Sequence, residues 1–324
     1  MTDNSPACSQ IWGSSAAMAR VHEGIARIAP TDATALLVGE SGSGKELVAR
    51  AIHEGSDRSA GAFVAVNCGA IPATLIEAEL FGHERGSFTG ASRLHAGVFE
   101  RAQRGTLFLD EITEMPPDLQ TRLLRVLETH RFYRVGGSIE ISSDARIIAA
   151  SNRNPMDSVR DGKLREDLFY RLAVFPISIP PLRERDDDAT EIALKRLAQL
   201  NAGAVVKKRL SSQALEFLRD YRWPGNVREL RNVVERGFLL AETDIELAPP
   251  LQGLAASSAP APGVPEVAVA VGTTLEDAER AIIEATLQHL HGNKPRTAQT
   301  LGCSLKTLYN KLNSYAQLAR VADA

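Results

Sequence analysis

The sequence predicts an α/β protein: a mostly parallel sheet built around a phosphate-binding loop, a helical subdomain after it, and a C-terminal all-α helix-turn-helix domain. Three observations carry this expectation. The peptide Gly39-Glu40-Ser41-Gly42-Ser43-Gly44-Lys45 follows the apolar run 35–38 and precedes the helix-like segment 46–52. That is the order of strand, glycine-rich turn and helix that a phosphate cradle requires. Three further apolar runs, at 63–66, 106–109 and 146–150, alternate with helical patterns, as strands buried on both faces do. Beyond an Ala/Pro-rich stretch, a short helical pattern, the turn Gly302-Cys303-Ser304 and a second helical pattern follow, matching the helix-turn-helix plan.

Length and composition bound the rest. A chain of 324 residues can hold two domains and a linker, or one large domain with a small appendage. With 44% hydrophobic and 24% charged residues the composition is that of a globular protein. No stretch approaches the roughly 20 apolar residues of a membrane span. The opening Met1-Thr2-Asp3-Asn4-Ser5-Pro6 lacks the basic and apolar parts of a secretory signal, so a cytoplasmic location is expected. Cys8, Cys68 and Cys303 are too far apart for metal-like spacing and too few for a disulfide framework. Net charge is −3, yet residues 291–312 hold Lys294, Arg296, Lys306 and Lys311 and no acid, which marks one locally basic face.

In chain order, residues 1–10 read as a tail, 11–180 as the α/β subdomain, 181–247 as the helical subdomain, 248–272 as a linker and 273–324 as the helix-turn-helix domain. Met18, Val21, Ile25 and Ile28 are spaced as the buried stripe of a first helix. In the loop at 39–45, backbone amides and the following helix N-terminus face phosphate, and Lys45 reaches the outer phosphates, so a nucleoside triphosphate is the natural occupant. Glu46 stands where most such loops place the Ser or Thr that touches Mg²⁺. The second strand ends at Asn67, at the sheet edge where ligands bind; Asn67 serves there either as a turn former or as a site residue. A helix over 74–81 then breaks into Gly86-Ser87-Phe88-Thr89-Gly90-Ala91. Phe88 between two glycines is either an exposed tip for a partner or a ring folded back onto the core.

The third strand ends in Asp110-Glu111. Asp110 holds Mg²⁺ or its water, and Glu111 polarises the attacking water of an ATPase. Leu119, Leu123, Leu124 and Leu127 form a helical core stripe. A fourth strand delivers Ser151 and Asn152 to the same edge, suited to sensing the γ-phosphate. Arg165 and Arg171 are either surface ion-pair partners or reach a neighbouring subunit's nucleotide. The prolines at 176–181 end the sheet region, and no further strand is expected. In Trp223-Pro224-Gly225-Asn226-Val227-Arg228, Asn226 reads as a helix cap and Arg228 is structural or points at phosphate. From 248 to 272 the sole charge is Glu266, among prolines at 249, 250, 260, 262 and 265, the composition of a semi-extended linker. In the last domain, Lys306, Thr307, Tyr309, Asn310 and Lys311 lie on the helix that would enter a DNA major groove, with Ser304 in the turn before it, Arg296 on the preceding helix from Pro295 and Lys294 just ahead of it. A helical hairpin used for dimerisation is the alternative.

Taken together, these residues resemble the bacterial enhancer-binding proteins, AAA+ ATPases that activate RNA polymerase carrying the sigma-54 factor. The resemblance runs from about Ile11 to Leu318. It implies an AAA+ sheet with a helical lid and a Fis-like DNA-binding domain. It also implies ATP and Mg²⁺ as cofactors, with sigma-54, RNA polymerase, enhancer DNA and a homo-oligomeric ring of six as partners. Residues 86–91 look like the family's sigma-contacting loop, its most specific motif. By the same resemblance Gly39, Glu40, Ser41, Gly42, Ser43, Gly44 and Lys45 form Walker A, and Asp110 and Glu111 Walker B. Asn67 is the switch acting on Glu111, Ser151 and Asn152 the first sensor, Arg165 and Arg171 the arginine fingers, and Arg228 the second sensor. Three departures stand out: Ser87 replaces the usual Ala, Leu164 replaces the usual Phe, and no receiver or ligand-sensing segment precedes the ATPase. The last resembles members controlled by a separate regulatory protein. Enhancer-binding proteins commonly carry an acid at the position of Glu46.

Overall fold

The computed structural model describes residues 13–88, 91–249, 267 and 272–322, with the backbone alone at 313 and 316–322. Thr89 and Gly90 of the expected sigma loop, the 1–10 tail and nearly all of the 248–272 linker lie outside the described residues. The chain forms two compact units, Met1–Pro250 and Leu251–Ala324.

In the first unit, α1 (Ala16–Ile28) buries Met18, Val21, Ile25 and Ile28, the expected stripe, behind an N-cap in which the Ser15 side chain accepts from the Met18 amide. Then come β1 (Ala35–Val38), α2 (Lys45–Glu54), β2 (Phe63–Asn67), α3 (Ile76–Phe81), α4 (Val98–Arg101) and β3 (Thr106–Asp110). After these follow α5 (Pro117–Thr129), β4 (Arg131–Tyr133), β5 (Glu140–Ser142), β6 (Arg146–Ser151), α6 (Pro155–Arg160), α7 (Glu166–Leu172) and β7 (Phe175–Ser178). Five strands pair in parallel in the order β2-β3-β6-β1-β7. Successive residues of one strand face opposite sides of a sheet, and the core divides accordingly. Leu36, Leu107, Leu109, Ile147 and Ala149 pack on α3, α4, α5 and α7. Ala35, Leu37, Phe108, Ile148 and Ala150 pack on α1 and α2. Two helical layers thus cover a sheet whose strand ends all point one way.

Several expectations need correcting. Pro176 lies inside a fifth strand, β7, rather than ending the sheet; β7 is an edge strand, where a missing amide removes no ladder bond. The β4/β5 antiparallel pair is formed by strands of three residues, with burial too short to show a period. The helix expected at 74–81 starts at Ile76.

The helical subdomain holds α8 (Asp188–Ala202), α9 (Ser212–Asp220) and α10 (Asn226–Leu240). It also contains two two-residue strands unread in the sequence, β8 (Arg209–Leu210) and β9 (Asp244–Ile245). Its core is built on Trp223, 1% exposed, with its indole N–H donating to the Leu218 carbonyl and its ring edge-on to Phe217 and Tyr221.

In the second unit, α11 (Leu275–His289), α12 (Lys294–Thr300) and α13 (Leu305–Ala322) enclose a small core of Ile283, Ala298, Leu308 and Tyr315. Pro295 sits in the first turn of α12, where its absent amide costs no helical bond. Among the described residues no helix is long and apolar enough to cross a membrane.

Trp223→Ala should destabilise the helical subdomain by roughly 3–5 kcal/mol, the usual cost of truncating a buried Trp. Faster amide hydrogen exchange in α8 and α10, with exchange in β1, β3 and β6 unchanged, is the expected outcome.

Candidate nucleotide site and its two appendages

Loop 39–45 leaves β1 and enters α2 with Gly44 as N-cap and Lys45 as the first helical residue. Lys45 is 8% exposed, and its ammonium donates to the carbonyls of Gly39 at 2.8 Å and Glu40 at 3.2 Å. Burial lowers its pKa, while Asp110 and Glu111 work against that shift. Conversely, burial raises the Asp110 pKa and Lys45 opposes it. The loop lysine and the β3 acids are therefore electrostatic partners across one strand edge.

Asp110 Oδ1 accepts the Glu111 amide at 3.0 Å. Glu111 sits in the left-handed region (φ 55°, ψ 47°), an uncommon conformation for a non-glycine residue. Its carboxylate lies against Gly69, where a Cβ would come 2.6 Å from Oε2. Nothing in the sequence around Gly69 signals this contact. Of the two senses left open above, the structure shows Asn67 as a turn former. Its Oδ1 accepts the amides of Gly69 (2.9 Å) and Ala70 (3.0 Å), closing the turn on which Glu111 rests. Cys68 beside it is buried, and burial pushes its thiol up to about 12, which leaves it neutral packing.

Of the two residues at the end of β6, Ser151 turns inward. It is fully buried, and its hydroxyl donates to the Arg153 carbonyl at 2.7 Å, so it shapes the turn. Asn152 Oδ1 is buried with no partner among the described residues, and Asn152 lines a cavity with Gly39 and Glu40. Glu46, at the unusual position, is held by Arg50 one turn along α2 at 2.8 Å.

The helical subdomain closes over the loop through contacts that the sequence did not disclose. Arg183 grips both Glu40 carboxylate oxygens, at 2.9 and 2.7 Å. Asn226, fully buried with φ 53°, donates to Glu40 Oε2 and to the Ser41 carbonyl, both at 3.1 Å, and accepts the Leu182 amide at 2.8 Å. It is not the helix cap expected from its neighbours; Gly225 occupies that position. Arg185, 2% exposed, donates to the Ser43 carbonyl at 2.8 Å. Arg228 reaches the Ser41 hydroxyl at 3.2 Å, and its amide donates to the Gly42 carbonyl. Gly42 has φ +75°, and a Cβ there would run into the Gly225 carbonyl oxygen, so only glycine fits between loop and α10. Beside this junction is a cavity of about 310 Å³, lined by Met18, Leu47, Ile179, Ile192 and Val227 with Gln199 and Arg231. Its wall of apolar side chains mixed with polar groups, next to the phosphate cradle, suits a planar base with polar edges.

Arg165 and Arg171 lie elsewhere. Arg165 pairs with Asp167 at 2.7 Å, and Arg171 donates to the Leu127 carbonyl at 2.7 Å. Arg171 lines a cavity with Thr34, Arg58 and Arg146 beside the strand starts, whereas Lys45 lies past the strand ends. Strands of four to six residues separate those edges by roughly 13–20 Å, too far for Arg171 to serve the loop of its own chain.

Within the 86–91 loop, the Gly86 amide donates to the Ala91 carbonyl at 2.8 Å. The Ser87 hydroxyl donates to the Glu84 carbonyl at 2.9 Å, so this departure from Ala adds a bond at the loop base. Arg134 binds Glu84 and Glu100 together. Phe88 is 39% exposed, and its ring packs edge-on to His83 with centroids 4.9 Å apart. It neither enters the core nor stands free.

In the second unit, Ser304, Lys306, Thr307, Tyr309 and Asn310 are exposed around the start of α13. The Ser304 hydroxyl caps that helix by accepting the Thr307 amide. Arg296 is exposed on α12. Lys294 lies 4.8 Å over the Tyr309 ring, and Lys311 pairs with Glu279 at 2.5 Å.

A parallel sheet with its phosphate loop, acidic strand end and helical lid defines a P-loop ATPase of the AAA+ class. The sequence matches the Sigma-54 interaction domain over residues 11–178, the AAA+ ATPase lid domain over 183–254 and the Bacterial regulatory protein, Fis family over 274–315. The chain belongs to the sigma-54 interaction domain family. It is 45% identical over 318 residues to the nitrogen fixation protein AnfA of Azotobacter vinelandii, covering 95% of this chain and 57% of AnfA. It is 43% identical over 328 residues to the DNA-binding transcriptional regulator NtrC of Azospirillum brasilense, covering 93% of this chain and 68% of NtrC. The crystal structure of NtrX from Brucella abortus in complex with ATP superposes with a TM-score of 0.72 at 34% identity, covering 94% of this chain and 69% of NtrX. The chain therefore spans little more than half to about two thirds of the length of these relatives.

Arg183 and Asn226 hold the Glu40 carboxyl down at about 2, from an ordinary 4.5. A depressed folded-state pKa stabilises the fold above the unfolded value, and that contribution disappears as pH falls from about 4.5 towards about 2. Glu40→Gln should therefore be less stable than the wild type in urea unfolding at neutral pH, with the difference narrowing below pH 4.5.

Proposed function

We propose that this chain is an ATP-hydrolysing transcriptional activator that binds enhancer DNA and remodels the closed complex of sigma-54 RNA polymerase to the open complex. The observation that carries this reading is the placement of Phe88. The segment presenting it leaves the sheet at Asn67 and re-enters it at Thr106, the start of the strand that ends in Asp110 and Glu111. One end of that segment leaves the nucleotide edge at Asn67, and the other runs through β3 to Asp110 and Glu111 at the same edge, so a change there is carried to the loop by continuous backbone.

In this reading ATP is the substrate. Lys45 and the loop amides hold its phosphates, the cavity beside the loop takes its base, and Asn152 and Arg228 report the γ-phosphate. Glu111 polarises the attacking water from a carboxylate fixed against Gly69. Among the described residues no group of three or more His, Cys, Asp or Glu forms a metal cage, which fits Mg²⁺ held by one carboxylate, water and substrate phosphates. Asp110 is that carboxylate, directly or through water, and the ion would supply charge neutralisation at the phosphates. Glu46 is engaged by Arg50 and stays outside the set. Arg165 and Arg171 act on the nucleotide of an adjacent copy, because the strand length keeps Arg171 from its own. This requires a ring, and six subunits is the number the family resemblance implies.

Residues 86–91, Thr89 and Gly90 included, engage sigma-54. The C-terminal domain tethers the ring to DNA through Lys306, Thr307, Tyr309 and Asn310, with Arg296 and the Ser304 turn beside them. Lys294 and Lys311 reach phosphate only by exchanging Tyr309 and Glu279.

Phe88→Ala should abolish ATP-dependent open-complex formation at a sigma-54 promoter while leaving ATP turnover and enhancer binding within about twofold of wild type, as expected for an exposed side chain outside both sites. Permanganate footprinting of promoter melting reads the result, and full melting by this variant contradicts the proposal.

A further inference from the structure

The phosphate loop is connected through buried polar groups to the turn by which the chain enters α1. Ser14 and Ser15 donate their amides to Asp188 Oδ1 at 2.9 and 3.0 Å, and the Ser15 hydroxyl donates to Oδ2 at 2.9 Å. Gly13 has φ +135°, and a Cβ there would run into Asp188 Oδ2, so the turn closes on this carboxylate only with glycine. The Ser14 hydroxyl donates to Glu191 Oε2 at 2.8 Å, one turn further along α8. Asp188 is 2% exposed and Ser15 8% exposed. A carboxylate this buried is tolerated because three donors satisfy it.

On its other side Asp188 leads to the nucleotide site. Its amide donates to the Arg185 carbonyl at 2.9 Å. The Arg185 guanidinium, equally buried, holds the Ser43 carbonyl of the phosphate loop at 2.8 Å and the Pro180 carbonyl at 2.8 Å. Asp188 also acts on that guanidinium through its charge. Met18, one turn into α1, and Ile192, one turn into α8, both line the cavity beside Ser43. The turn, the carboxylate, the arginine and the loop form one contiguous network.

We propose that Asp188 is a positioning residue for the phosphate loop, and that the turn at Gly13, Ser14 and Ser15 is a handle through which the chain entering α1 sets nucleotide affinity. The inference rests on the nucleotide reading above. Drawing the turn away strips Asp188 of three donors. A buried carboxylate left short of partners competes for Arg185, and Ser43 loses its anchor. Linkage requires the reverse as well: nucleotide that tightens the loop must strengthen the bonds from Ser14 and Ser15.

The test uses the full chain and a non-hydrolysable ATP analogue. Saturating analogue should slow hydrogen exchange at the Ser14 and Ser15 amides by about fivefold or more in the wild type, the low end of allosteric coupling. Asp188→Asn and Ser15→Ala should each weaken analogue binding by about 5–30-fold, with kcat at saturating ATP little changed, and Ser15→Thr should restore affinity. If Asp188→Asn does not fold, Ser15→Ala, which keeps both amide donors, decides. Unchanged exchange in a wild type that binds the analogue, or a lowered melting temperature with unchanged affinity in the variants, overturns the inference. A wild type that fails to bind the analogue at all overturns the nucleotide reading itself.

Discussion

The fixed point of this structure is the grip of the helical subdomain on Glu40. A glycine-rich loop has little side-chain packing to define it, and its glycines lose more backbone freedom on folding than other residues do. Here the loop is clamped from outside. Arg183 and Asn226 hold the Glu40 carboxylate, Asn226 also holds the Ser41 carbonyl, and Arg185 holds the Ser43 carbonyl. Asn226 adopts a left-handed backbone while fully buried, a strained state that persists only where its surroundings over-determine it. The cradle and the lid are consequently one cooperative unit.

That unit explains why the sheet edge functions as a whole. β1, β2, β3 and β6 end together and deliver the loop, Asn67, Asp110 and Asn152 to a single line. The strand carrying Asp110 and Glu111 is joined by register to the strand carrying Asn67, with Asn67 opposite Asp110. The Phe88 segment is inserted between those two strands, and its base is stiffened by Arg134 bridging Glu84 and Glu100. In this account chemistry at the edge and the position of Phe88 are mechanically related, and the second unit supplies a separate address on DNA.

Much of this was legible in the sequence, for identifiable reasons. The run 35–38 before the glycine-rich loop, the acids after 106–109 and the apolar stripe of α1 are local patterns, and each falls where its pattern put it. What stayed hidden was non-local or polar. The fifth strand was masked by Pro176, which reads as a breaker unless the strand is known to be an edge. Asn226 looked like a cap because Gly and Pro precede it, whereas its partners Leu182 and Glu40 are 44 and 186 residues away. Arg183, Arg185 and Asp188 sit in a charged stretch, 183–188, that reads as solvated surface; three-dimensional closure buries two of them. Gly69 matters because a carboxylate 42 positions later packs on it, and nothing in its own neighbourhood announces that.

The claim that lid and cradle act as one is tested most directly by titrating Asn226→Ala with a non-hydrolysable ATP analogue in a calorimeter. The account predicts binding weakened by about tenfold or more, since a buried side chain with three hydrogen bonds is lost from the clamp, in a protein whose sheet remains folded. Wild-type affinity in a folded Asn226→Ala variant would contradict it.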